Sequence, residues 1–144
     1  MTFKKKSDSS YLPLDTNEKI VNVIYIYKTD IEDELDEKEL FSKAFSLINE
    51  NEDYDVICFK TNMWFGVTNK CFTCIYIDFN EEDVDITNAI KLVDNKKWKI
   101  NVGFMFLDNV YNKIIITSSK DPNNLYTTSK KWKSKVNSFK IIKL

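Results

Sequence analysis

The chain has no histidine and no arginine, and it has only two glycines, Gly66 and Gly103, and two prolines, Pro13 and Pro122. Without histidine, imidazole acid–base chemistry, histidine-activated nucleophiles and the common zinc ligand sets are excluded within this chain. Without arginine there is no guanidinium to fork onto a phosphate or stack on a base, so lysine must carry every cationic contact. Two isolated glycines cannot build a phosphate-cradling glycine loop. No apolar run approaches the length of a membrane span, and Lys4-Lys5-Lys6 at the start is not followed by the apolar stretch of a signal peptide.

What is present is a core-forming composition. The 144 residues are 43% hydrophobic, 14% aromatic and 30% charged, which argues for one folded domain rather than disorder. Lysine, asparagine and isoleucine abound, as expected of a chain from a strongly biased genome. Cys58, Cys71 and Cys74, an odd number with no export signal, fit free thiols in a reducing compartment. The expectation is an intracellular, soluble protein of cytoplasm or nucleus.

The formal net charge of −1 conceals a separation. Residues 30–55 hold eleven acids against two lysines, a local charge of −9, whereas 95–144 hold eleven lysines against two acids, a local +9. Such polarity either steers charged partners or reflects internal pairing of neighbouring elements.

Residues 1–17 are polar and aperiodic and are expected to form a flexible lead-in to a single α+β domain over 18–144. Ile20–Tyr27 is β-branched and aromatic, a central strand. Thr29 or Asp30 is placed to cap a helix over 32–49, whose apolar stripe is Leu40, Phe41, Ala44, Phe45 and Ile48. Val56–Phe59 is a short strand, and 61–70 is a loop or wide hairpin carrying an exposed Met63-Trp64-Phe65. Cys71–Phe79 is a strand, 83–93 a second helix with Ile86, Ala89, Ile90 and Val93 on one face, and Lys99–Leu107 a strand. A turn then returns Ile114–Thr117 as an antiparallel partner. Beyond a loop at 121–124, Ser129 is placed to cap a basic helix with Trp132, Val136 and Phe139 on one side, though 139–144 reads equally as a strand. No internal repeat or domain boundary interrupts the chain.

Within 23–104, Ile24-Tyr25-Ile26, the Phe41/Phe45/Ile48 spacing, the run Tyr76-Ile77-Asp78-Phe79 and the helix-and-turn 85–95 resemble the RNA-recognition motif family. The resemblance implies a ferredoxin-like βαββαβ core over 20–107 with sheet order 4-1-3-2, both helices on one face, and a C-terminal extension over 108–144 adding a hairpin strand and basic tail. It also implies that Tyr25 and Tyr76 stack bases of single-stranded RNA on the open face of the sheet. Alternation puts Val23, Tyr27, Phe72 and Cys74 on that same face, which is apolar enough for the extension or a partner to cover it instead.

Lysine interleaved with an aromatic at Lys130-Lys131-Trp132-Lys133, with Lys135 and the distant Lys70, suits a phosphate backbone plus one stacked base. The alternative is a basic surface helix that packs Trp132 on the core and pairs with the acidic helix. Cys71 and Cys74 stand three apart on a strand and face opposite sides, so no metal or redox pair is expected, and the acidic runs lack the pattern of a calcium loop. With no nucleophile–base pair, glycine loop or cofactor motif, the chain is expected to be a non-enzymatic binder without cofactor or metal. The main function expected is RNA binding. A rival is a protein-interaction module, such as an inhibitor or immunity-type protein, that captures a basic partner through Glu32, Asp33, Asp36, Glu37 and Glu39 with Trp64 or Trp98 as anchor. One subclass of the family binds peptides through an acidic first helix and a basic–any–aromatic triplet, which Lys96-Lys97-Trp98 resembles. No membrane partner is expected.

Overall fold

A computed structural model describes residues 19–144, and the expected lead-in at 1–17 lies outside the described residues. The fold is α+β, a mixed six-stranded sheet with a separate two-stranded hairpin and, among the described residues, three α-helices. Chain order is β1 (Asn22–Tyr27), α1 (Glu34–Ser46), β2 (Asp55–Lys60), β3 (Met63–Phe65), β4 (Thr73–Tyr76), α2 (Ile86–Val93), β5 (Lys99–Asn101), β6 (Phe106–Asp108), β7 (Lys113–Ser118), α3 (Lys130–Val136) and β8 (Lys140–Lys143). The main sheet runs β3-β2-β4-β7-β1-β8, and all neighbours are parallel except β2 with β3.

The ferredoxin-like arrangement is not what forms. The strand expected over 99–107 breaks at Gly103 (φ +107) into β5 and β6, which pair with each other and leave the main sheet. Its place beside β1 at the sheet edge is taken by β8, while β7, expected as an antiparallel hairpin strand, is found parallel between β4 and β1. Segment 108–144 is therefore no appendage, since it supplies one of the most buried strands and an edge strand. The reason is hydrophobic. Ile114, Ile115 and Ile116 are wholly buried, and a strand apolar on both faces is stable only inside a sheet covered on both sides.

Those two covers are different helices. Ile26, Ile75 and Ile115 pack under Leu40 and Ala44 of α1 on one face. Val23, Tyr25, Tyr27, Cys74 and Tyr76 pack under α2 and α3 on the other. The helices expected on one face thus lie on opposite faces. The chain crosses toward one edge through α1 and back toward the other through α2 and α3, which keeps one hand of crossover throughout. A run of aromatic contacts, Tyr25–Phe139–Trp132–Phe79–Tyr76–Trp64–Phe59, with centroids 5.0–6.4 Å apart, fills the α2/α3 side.

Local chemistry sets the boundaries. Asp33, not Thr29 or Asp30, caps α1, its carboxylate accepting the Leu35 and Asp36 N–H groups at 3.0 and 3.2 Å. Asp30 instead takes φ +60 in the turn before it. In the expected stripe Phe45 is 41% exposed and meets Tyr54 edge-on, while Leu40 and Ala44 carry the contact. Ser129 does cap α3, accepting the Trp132 N–H at 3.1 Å, and both readings of the C-terminus hold, a helix followed by β8. Met63-Trp64-Phe65 is an edge strand whose Trp64 points into the core.

Candidate nucleic-acid interface

Placing the expected site residues in this frame removes the sheet platform. Tyr25 and Tyr76 are 0% and 1% exposed, and α2 and α3 cover their face. The Tyr25 hydroxyl donates to the Lys120 carbonyl at 2.9 Å, and the Tyr76 hydroxyl accepts the Phe59 N–H at 3.1 Å. Burial pushes the Tyr76 phenol up to about 12 and the Tyr25 phenol higher still. Neither ring can stack on a base. The covered-face alternative is the one realised, and for a physical reason: an apolar sheet face this wide is stable only when removed from water.

Trp132 is equally closed. It is 0% exposed, stacks parallel on Phe79, and donates its indole N–H to the Pro122 carbonyl at 3.0 Å. Around it, Lys130, Lys131 and Lys133 are exposed on α3, while Lys135 is paired with Asp94 at 2.7 Å. Lys70 stands exposed on the loop before β4.

The tryptophan that stays accessible is Trp98. It follows α2, where no helical periodicity draws it inward, and it lines a groove of about 250 Å³ between α2 and the start of α3. Ile86 and Ile90 give the groove an apolar floor, while Thr87, Lys91, Ser129 and Lys131 bring polar and cationic groups. The Trp98 N–H donates to the Asp94 carboxylate at 3.1 Å, so the plane of the ring is held. Burial alone would raise the Asp94 carboxyl, but the hydrogen bonds from Lys135 and Trp98 outweigh it and hold the group below its ordinary value. The ammonium groups of Lys96 and Lys91 lie 4.6 and 5.6 Å from the Trp98 ring centroid. An oriented ring ringed by lysines results. Its volume lies below the roughly 300 Å³ at which drug-sized pockets begin, so it suits a single planar group rather than a large ligand.

Lys91, Thr87 and Ile86 were not marked as site residues by any sequence pattern, and Lys96 figured only in the peptide-binding triplet. For Lys96 the signal existed, since Lys96-Lys97-Trp98-Lys99 repeats the lysine–tryptophan interleaving of 130–133. Only helical periodicity distinguishes the two: Trp132, Val136 and Phe139 recur at helical spacing and go inward, whereas Trp98 has no such companions.

The acidic segment lies elsewhere. On α1, Asp33 is spent as the cap, and Asp36 and Glu39 hold Lys28 at 2.9 and 2.7 Å. Glu32 and Glu37 remain exposed. Trp64 is buried and Trp98 sits on the opposite side of the sheet, so neither stands beside these acids. Nor do the acidic and basic helices pair. Among the described residues, the single ion pair joining the two charged segments is Glu52–Lys113 at 3.1 Å. The acid-rich α1 and the lysine-rich α3 thus stand on opposite faces of the sheet.

Cys58, Cys71 and Cys74 are free thiols, with Cys74 wholly buried and its thiol pushed up by that burial. No helix among the described residues is long and apolar enough to cross a membrane. No protein-family model matches the chain, and no curated protein sequence matches it significantly. Fold and groove together define a small α+β protein with one basic, tryptophan-lined groove beside a closed sheet.

Proposed function

We propose that this protein is a non-enzymatic binder of single-stranded nucleic acid, RNA first, acting through the α2/α3 groove. The observation that carries this reading is the convergence of Trp98 with Lys91, Lys96 and Lys131 on the face of the sheet opposite the acidic α1. A base would stack against the exposed part of the Trp98 ring while the lysines meet flanking phosphates, and Lys130 and Lys133 continue the positive surface along α3. Lysine alone can do this, because sequence-tolerant binding needs charge and a π-face rather than the arginine fork.

Three or four phosphate contacts predict a slope of about −2 to −3 in log affinity against log salt, from roughly −0.7 per contact on single strands. Anisotropy of labelled mixed-sequence RNA, titrated at several salt concentrations, reads this directly. Trp98→Ala should weaken binding by about 1–3 kcal/mol, the usual worth of one stacked base. Lys91→Gln with Lys131→Gln should lower the salt slope by about 1.4. Binding that is unchanged in both variants would remove the groove from consideration.

The protein-capture reading rests on the exposed carboxylates of α1 alone, since its two candidate anchors stand elsewhere. If that reading held, Glu37→Lys would abolish a protein partner without touching RNA affinity.

A further inference from the structure

All five parallel strands of the main sheet end at the same edge, and there two connections diverge. From β1 the chain departs to α1 on one face, and from its neighbour β7 it departs to α3 on the other. In open parallel sheets, divergence between adjacent strands leaves a crevice outside their carboxyl ends, the place where such folds hold ligands. A cavity of about 280 Å³ opens beside that point, on the α1 face, between α1 and the ends of β4 and β7.

Leu40, Phe41 and Ile77 line it with apolar surface, and Glu37, Asp78 and Ser119 bring polar groups. No lysine lines it. Lys28, which directly follows β1, is occupied by Asp36 and Glu39. Among the described residues neither Glu37 nor Asp78 takes part in an ion pair. The wall is firm as well: the Asp78 N–H donates to the Thr117 hydroxyl at 3.0 Å, and the Ser118 hydroxyl donates to the Phe79 carbonyl at 2.7 Å.

We infer that this crevice beneath α1 binds a small organic cation, a protonated amine on a compact apolar body. The apolar lining takes the body, and the two carboxylates with the Ser119 hydroxyl take the ammonium. Anionic ligands meet two like charges, and Lys60, whose ammonium also feels Asp78, is held by Asp83 at 2.9 Å. The site lies across the sheet from the Trp98 groove, so its occupancy and RNA binding are separate events.

The test is titration of the full chain with benzylamine, followed by backbone amide NMR, with benzoate and benzyl alcohol as controls. The expected result is saturable shifts at Ile77–Asp78 and Thr117–Ser119 with benzylamine alone. Glu37→Gln combined with Asp78→Asn should weaken that binding at least about tenfold, a loss of about 1.4 kcal/mol. Both substitutions keep the side-chain shape, and asparagine accepts the left-handed backbone of Asp78 (φ +60), so the variant folds. The inference is overturned if benzoate shifts the same amides equally, if benzylamine perturbs only the Trp98 groove, or if the double variant binds as tightly as the parent.

Discussion

The rings of Phe79 and Trp132 lie stacked at 2° to one another with 6.1 Å between centroids. Phe79 lies just beyond β4 and Trp132 belongs to α3, so this contact fastens the C-terminal helix onto the sheet. It also decides which of two lysine-flanked tryptophans can meet a ligand. Trp132→Ala should cost about 3–5 kcal/mol, because it opens a cavity and leaves the Pro122 carbonyl without its donor. Trp132→Phe should cost less, since a ring remains to stack. Urea denaturation of both variants measures the difference, and equal losses would mean that the stack contributes nothing beyond the hydrogen bond.

Asp94 orients the candidate site through its bonds from Trp98 and Lys135. Asp94→Ala should destabilise the fold by about 1–3 kcal/mol, since it leaves a mostly buried lysine and an indole N–H without their acceptor. It should also weaken RNA binding by freeing the ring. The same group sets an acid limit. Its carboxyl is held below the ordinary 3.8, so its stabilising contribution is complete above about pH 4 and is lost as pH falls through the lowered value. Melting temperatures from about pH 6 down to 3 should fall more steeply for the parent than for the alanine variant.

The alkaline side is governed by buried tyrosines. Burial raises Tyr25, Tyr76, Tyr111 and Tyr126 above the ordinary 10.0, Tyr76 to about 12. Below about pH 10 each phenol is neutral in both states and costs nothing. Above it the unfolded chain ionises first, so each tyrosine removes about 1.4 kcal/mol of stability per pH unit until its folded value is reached. Lys19 acts in the opposite direction. Burial lowers its ammonium to about 8, so stability gains from pH about 8 to 10.5 as the folded chain sheds that proton first. The buried Cys74 thiol, raised well above the ordinary 9.0, opposes that gain from about pH 9, so urea midpoints should hold or rise slightly to about pH 9 and collapse beyond pH 10.5, with the tyrosinate absorbance of the buried rings appearing only on unfolding. Full ionisation of Tyr25, Tyr76, Tyr111 and Tyr126 in the folded protein would contradict the burial.

The two glycines should respond differently to alanine. A Cβ at Gly66 (φ +86) would stand 2.1 Å from the Val56 carbonyl oxygen, which is backbone and cannot yield. At Gly103 (φ +107) the nearest atom is the Met63 sulfur at 3.9 Å, so backbone strain alone opposes the change. Gly66→Ala should cost at least about 2–3 kcal/mol, and Gly103→Ala about 1–2 kcal/mol. Thermal melts of the two variants give the comparison.

Much of the architecture was legible in residue patterns, because those patterns report local physics. The β-branched run of β1, the apolar stripe on α1, the face shared by Ile86, Ala89, Ile90 and Val93 on α2, and the Ser129 cap of α3 all follow from periodicity and backbone hydrogen bonding within a few residues. So did the limits on chemistry set by the missing histidine, arginine and glycine loop. Alternation also sorted Tyr25 and Tyr76 correctly onto one side of the sheet.

Which partners those strands chose was decided only in three dimensions. Nothing local tells β7 to insert parallel between β4 and β1. That follows from burying Ile114–Ile116 on both faces at once, a gain that exists only when α1 and the α2/α3 pair close from opposite sides. The same closure turned Tyr25, Tyr76 and Trp132 from candidate contacts into core, and left Trp98 half-buried at the surface, oriented by Asp94. Sequence determined which side chains share a face; whether that face meets water was set by what packed upon it, because burial depends on the whole fold.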